Sequence, residues 1–136
     1  MRISAIATPP FLTLVVALIA FWASGKPSAP VGLLVDGVSN PLAIDRDATR
    51  FTWRSPDGGR GEKQTAYQIL VASDPKRLAA GKADWWDSGK VDSDRSASVV
   101  YAGKALPPAA RFWWKVRIWD QTRRPGPYST PAHFDT

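Results

Sequence analysis

In the segment RFWWKVRIWD, residues 111–120, two sets of side chains interleave. Phe112, Trp114, Val116 and Ile118 take every second position and are all apolar. Trp113, Lys115, Arg117 and Trp119 fill the places between them. A repeat of two belongs to an extended strand, whose successive side chains point to opposite faces of a sheet. Alternation alone does not say which face is the core. Aromatic residues interleaved with Arg111, Lys115 and Arg117 also make a candidate surface for gripping a sugar or a nucleic acid. The two sets therefore have to be weighed separately.

The rest of the chain after residue 25 follows the same rhythm. VGLLVD (31–36) is apolar and β-prone, and Asp36-Gly37 ends it. TRFTWR (49–54) sets Phe51 and Trp53 against Arg50, Thr52 and Arg54. The loop SPDGGRGEKQ (55–64) carries Pro56, Gly58, Gly59 and Gly61, a chain-reversal composition. TAYQILVAS (65–73) places Tyr67, Ile69 and Val71 on one face. Leu70 joins Ala66, Gln68 and Ala72 on the other, so that face is not purely polar. Asp74 can cap a short helical turn begun by Pro75, anchored by Leu78 and stopped at Gly81. Two strands follow, a short one at WDSGKV and a longer one at SASVVYA (96–102). The last, YSTPAHFD, contains Pro131 and belongs at an edge or a bulge. No segment keeps a helical apolar period. About seven short strands in about 110 residues predict an all-β fold, a β-sandwich of the immunoglobulin or fibronectin type III kind over residues 26–136.

Residues 1–25 stand apart. Arg2 precedes an apolar block from Phe11 to Trp22, and Ala23, Ser24 and Gly25 follow. This reads as a secretory signal peptide that exports the domain to the periplasm or the exterior. The alternative is an uncleaved inner-membrane anchor over residues 3–25, although Pro9 and Pro10 shorten the run below the roughly 20 apolar residues of a spanning helix. A membrane partner is expected only in that second case. The chain has no cysteine, so lipid attachment and disulfides are both excluded and the core must hold the domain alone. A net charge of +6 is spread without any run of five like charges, which describes a solvated surface and calls for no nucleic-acid partner.

Most catalytic constellations fail at once. His133 is the single histidine, and no thiol or zinc cluster exists. The glycine-rich loop lacks the phosphate-loop frame and leads into a strand. Two carboxylates held about 5–9.5 Å apart would suffice for glycoside hydrolysis. Asp45 with Asp47, and Asp92 with Asp94, have the spacing to share a strand face, but each pair lies in turn-like sequence beside an arginine. They read as solvated loop charges, and no catalytic residue, metal site or cofactor is expected. Tryptophan carries the one open functional question. Of Trp53, Trp85, Trp86, Trp113, Trp114 and Trp119, a sandwich of this size encloses about three. The remainder are either exposed, as in sugar-binding modules, or covered by a partner.

The blocks NPLAIDRDATRFTWR, RGEKQTAYQILVAS, DWWDSGKVDSDRS and VYAGKALPPAARFWWKVRIWDQ, in this order, resemble the N-terminal fibronectin type III-like domain of bacterial α-L-rhamnosidases. The likeness spans nearly all of residues 31–136. It implies a sandwich, in agreement with the strand pattern. It does not imply hydrolysis, because the family's catalytic acids lie in a separate α/α barrel further along such enzymes, and no such position falls within this chain. In fibronectin-type sandwiches a leucine precedes an inward aromatic of the sixth strand by six residues, and Leu106 and Phe112 match. The likeness therefore turns Phe112, Trp114, Val116 and Ile118 inward, and Trp113, Lys115, Arg117 and Trp119 outward. The corner residue is usually tyrosine; Phe112 lacks the hydroxyl, so packing alone should hold that corner.

The expected function is a non-catalytic accessory module that packs against a glycoside hydrolase catalytic domain. Its candidate partner surface is Trp113, Lys115, Arg117 and Trp119, with Trp85 as a further aromatic. Two alternatives stay open: a free-standing carbohydrate-binding module contacting a rhamnose-containing glycan, and a fragment of a rhamnosidase whose catalytic part is encoded separately.

Overall fold

A computed structural model of the chain describes residues 25–56 and 63–136. Residues 1–24 of the proposed leader lie outside the described residues, as does most of the glycine-rich loop. Eight strands and one short helix are described: β1 (Val31–Val35), β2 (Arg50–Arg54), β3 (Ala66–Ala72), α1 (Pro75–Ala79), β4 (Trp86–Asp87), β5 (Val91–Asp92), β6 (Val99–Val100), β7 (Arg111–Trp119) and β8 (Ala132–Asp135). They form two antiparallel sheets, one in the order β1-β2-β6 and one in the order β4-β3-β7-β8, with β5 also on β3. The architecture is the expected immunoglobulin-like sandwich.

The inward face of β7 is as expected. Phe112, Trp114, Val116 and Ile118 are buried, as are Tyr67, Ile69 and Val71 from β3. Phe51, Trp53, Val35 and Val99 meet them from the smaller sheet. Phe51 sits at the centre of an aromatic cluster, 4.5 Å from Trp114 and 5.8 Å from Phe134 between ring centroids. Such edge-on pairs add to the apolar area they remove from water. The Trp53 indole N–H is satisfied by the Gln64 side-chain oxygen at 3.1 Å, and the Gln64 amide donates in turn to the carbonyls of Ser93 and Arg95.

Three details depart from the sequence reading. WDSGKV forms two strands, because Ser88 interrupts the ladder: its hydroxyl accepts the Ile69 N–H at 2.8 Å, where a backbone carbonyl would normally stand. This is a bulge that opens the strand between β4 and β5. SASVVYA keeps only Val99–Val100 as strand. Ser98 turns to φ 54°, and its N–H donates to the Thr52 hydroxyl at 3.0 Å, so the regular ladder breaks there. Backbone bonds from Trp53 to Ser96 and from Tyr101 to Thr49 continue the contact on either side.

The third departure concerns the corner between β6 and β7. Phe112 packs on Trp85 at 4.8 Å and on Phe134 at 5.5 Å, but packing is not the whole account. The hydroxyl of Tyr101 donates to the Lys104 carbonyl at 2.7 Å within the same connection. Burial pushes that phenol up to about 12, so it stays a donor. A tyrosine entering the corner thus supplies the bond that Phe112, leaving it, cannot make. Gly103 permits this: a Cβ there would stand 2.5 Å from both the Tyr101 hydroxyl and the Trp85 carbonyl oxygen.

Pro131 immediately precedes β8, which is an edge strand, as its proline demanded.

Candidate functional site

The outer face of the larger sheet gathers four of the five candidate residues. In the β3–β7 register Trp113 lies opposite Ala72, Lys115 opposite Leu70, Arg117 opposite Gln68 and Trp119 opposite Ala66. Ala66, Leu70 and Ala72 on β3 are small or apolar, while Gln68 is polar and accepts from Arg117. Trp85 is not part of this group. It packs on Phe112 and the main core, and Lys104 rests over its ring at 5.7 Å.

This face is already clothed by the chain itself. Leu70 and Ala72 form a second core with Leu78 of α1, and Ala83, Trp113 and Tyr128 pack against its margin. The helix forms where expected. Asp74, in extended conformation, accepts the Arg77 N–H at 2.8 Å; Pro75 opens the turn. Gly81 at φ 72° ends it, with its N–H donating to Leu78. The cap satisfies an otherwise orphaned donor, and the left-handed glycine carries the chain away. Leu78 is thereby pressed onto β3 and is fully buried.

Trp119 points to the outer face, as the alternation requires, but it is only 7% exposed. The Arg117 guanidinium lies 4.8 Å from its ring centroid and the Lys90 ammonium 5.5 Å. The same guanidinium is 4.9 Å from the ring of Tyr128, and Lys115 is 4.5 Å from that ring. Cations and aromatic rings therefore alternate across the sheet as Lys90, Trp119, Arg117, Tyr128 and Lys115, each cation drawn to a ring face. Arg117 also donates twice to the Gln68 side-chain oxygen, at 3.0 and 2.7 Å, while the Gln68 amide donates to Asp87 at 2.8 Å. Burial, and then the neighbouring Arg117 charge, hold the Lys115 ammonium below its ordinary value. Burial raises the Tyr128 hydroxyl; Arg117 opposes that shift and Asp87 adds to it.

Sequence reasoning did not foresee Tyr128, Lys90 or His133 at this face. Gln68 was legible from the period of β3. The position of Tyr128 depends on how the chain returns after β7, with Ser129 bonded to Val116, and no local pattern encodes that. Trp113 is half-buried and meets His133 edge-on at 5.1 Å. His133 Nδ1 is buried with no hydrogen-bond partner among the described residues.

The carboxylate pairs behave as turn residues. Asp45 accepts the N–H of Asp47 at 3.0 Å, and Asp92 lies 3.7 Å from the Lys90 ammonium. Among the described residues no group of three or more His, Cys, Asp or Glu side chains stands close enough to hold a metal. The outer face offers fixed cations and rings that are largely occupied with one another.

Known proteins place the chain in context. Residues 30–136 match the family described as "Rha78A-like, N-terminal immunoglobulin domain". An α-L-rhamnosidase of Formosa agariphila is 41% identical over 102 residues, which cover 75% of this chain and 11% of that protein. One from Streptomyces avermitilis is 40% identical over 102 residues, 75% of this chain and 10% of that protein. Among solved structures, the α-L-rhamnosidase of Dictyoglumus thermophilum superposes with a TM-score of 0.76 at 36% identity, covering 79% of this chain and 12% of that one. The Streptomyces avermitilis α-L-rhamnosidase complexed with L-rhamnose gives 0.74 at 38% identity, covering 79% and 10%. The chain thus spans about a tenth of the length of the relatives it matches. With a whole sandwich matched from residue 30 to residue 136, the chain belongs to the family of Rha78A-like N-terminal immunoglobulin domains.

Proposed function

We propose that this chain is a non-catalytic accessory module of the α-L-rhamnosidase type, whose work is to pack against the catalytic part of a glycoside hydrolase. The single observation that carries this reading is the extent of the match. All of the described sandwich from residue 30 corresponds to the N-terminal domain family, a segment that covers about a tenth of each matched rhamnosidase. The site chemistry agrees with it, because the candidate carboxylates serve turns and ion pairs. The test is an exchange of domains. Residues 30–136 replace the matching segment of the Formosa agariphila enzyme, giving a full-length protein. The exchanged enzyme should hydrolyse an aryl α-L-rhamnoside and unfold in one transition, whereas the chain alone should release no product. Two independent unfolding transitions would remove the packing role. Turnover by the chain alone would remove the non-catalytic reading.

A second reading, a carbohydrate-binding module, keeps one observation in its favour: Trp113 is only half covered, beside His133. Titration with rhamnose-containing glycans should then quench tryptophan fluorescence, and Trp113→Ser should abolish the change. Export belongs to the same proposal, with residues 1–25 as a cleaved leader or residues 3–25 as an inner-membrane anchor. N-terminal sequencing of the protein recovered outside the cytoplasm decides between them: a start at Lys26 marks cleavage.

A further inference from the structure

The block NPLAID, residues 40–45, joins β1 to β2, and nearly every large member of it has a structural task. Asn40, at φ 47°, accepts the His133 N–H through its side-chain oxygen at 2.9 Å. Pro41 is buried and its carbonyl accepts the Asp135 N–H at 2.9 Å. Ile44 packs against the main core, and the Asp45 carbonyl accepts the Thr49 hydroxyl at 3.2 Å. The bonds of Asn40 and Pro41 lace the segment along the outer edge of β8. Leu42 alone among the large apolar side chains of the block has no such task. At 75% it is the most exposed large apolar side chain among the described residues. A single exposed leucine on a loose loop needs no explanation. This one is held out by a backbone tied on both sides.

What lies next to Leu42 gives the exposure a meaning. A cleft of about 370 Å³ is lined by Leu42, Ala109, Ala110, Arg111, Asp135 and Thr136. Thr136 is fastened there. Its N–H donates to the Ala110 carbonyl at 2.9 Å, its hydroxyl to the Pro107 carbonyl at 2.6 Å, and it accepts the N–H groups of Ala109 and Ala110. Ala109 adopts φ 55°, a left-handed backbone that a non-glycine residue adopts only at a cost. On the rim the Arg111 guanidinium and the Asp135 carboxylate face each other with two parallel bonds, 2.7 and 2.9 Å. The matched family is described as an N-terminal domain, and about nine-tenths of each matched rhamnosidase lies outside the matched segment. The polypeptide that follows position 136 there starts from a fixed point beside Leu42. On the outer tryptophan face, by contrast, Trp119 is covered by its own chain and Trp113 is half covered.

We propose that the end of the sandwich formed by Leu42, the Ala109–Ala110 turn and the Arg111–Asp135 pair is the seat of the segment that follows this domain in α-L-rhamnosidases, with an apolar side chain of that segment against Leu42. The inference rests on the module reading above and adds its location. The test compares Leu42→Asp in two settings, the chain alone and the domain-exchanged Formosa agariphila enzyme, by calorimetric unfolding. In the chain alone, an exposed substitution should shift the melting temperature by less than about 3 °C. In the exchanged enzyme it should lower unfolding of the sandwich by about 8 °C or more, or split one transition into two. Trp113→Ser should produce no such additional loss on passing from chain to enzyme. A unitary transition that Leu42→Asp leaves unchanged would overturn this location and spare the module reading. Separate unfolding of the unsubstituted exchanged enzyme would overturn both.

Discussion

The two faces of β7 are built from similar side chains and reach burial by different means. On the inner face Phe112, Trp114, Val116 and Ile118 meet a second sheet, so that burial follows from closing the sandwich. On the outer face no sheet arrives. Trp113 and Trp119 are covered piecemeal by α1, by Tyr128 and by the stems and charges of Lys90 and Arg117. Period two sorts residues into faces. How completely each face is covered depends on elements distant in sequence.

The largest effect should come from the inner face. Trp114 is fully buried and centrally packed, so Trp114→Ala should cost about 3–5 kcal/mol of unfolding free energy by urea denaturation. Its buried indole N–H has no partner among the described residues, which is a local cost already carried by the fold, so the loss should sit toward the lower end of that range. Leu78→Ala comes next, at about 2–4 kcal/mol, because its removal empties the second core and releases α1. A cost below about 1 kcal/mol there would show that the outer face has no true core. Trp119→Ser should cost about 2 kcal/mol and Trp113→Ser about 1 kcal/mol, the covered ring losing more than the half-covered one. Equal losses at Trp114 and Trp119 would break the distinction between the faces. A negligible loss at Trp119 would mean that its cationic cover does not persist in solution. Asp74→Ala should cost about 1 kcal/mol through loss of the helix cap, with little added by the exposed Asp74–Arg77 ion pair.

Much of this was legible in the sequence for identifiable reasons. The inner residues of β2, β3 and β7 follow from period two, and α1 from the sequence Asp74, Pro75, Leu78 and Gly81, where each residue type has its own stereochemical task. Leu70 and Ala72 already marked the outer face of β3 as more apolar than a solvated face should be. The coverage of Trp119 was not legible, because Lys90 arrives from the β4–β5 connection, and its approach depends on the bulge at Ser88. The truncation of the 96–102 strand was equally hidden. It turns on the Thr52 hydroxyl replacing a carbonyl, which the β-prone composition of SASVVYA cannot reveal. Leu42 was legible as a residue within a family block, and only the lacing of its neighbours to β8 shows it held outward.

The smallest effect is an acid dependence that separates the two faces again. Among the described residues the main core cluster holds no carboxylate, and Asp120 is buried only at the end of β7; on the outer side, Asp84 ties the chain leaving α1 back to the end of β3. Its carboxylate accepts the Ser73 N–H at 2.9 Å and the Ser73 hydroxyl at 2.6 Å. Burial pushes this carboxyl up, but the two bonds from Ser73, with the Arg77 charge, outweigh it and leave the group below its ordinary value of 3.8. A carboxyl depressed in the folded state binds its proton more readily when unfolded, so its stabilisation is present above that ordinary value. It is lost as the pH falls through the depressed folded value. Urea midpoints should therefore fall less between pH 7 and pH 3 for Asp84→Asn than for the parent, and in the parent the Ser73 amide should lose protection relative to its intrinsic exchange rate at the lower pH. An identical fall in both proteins would remove Asp84 as the acid-sensitive tie of the outer face and leave that face held by Leu78 packing alone.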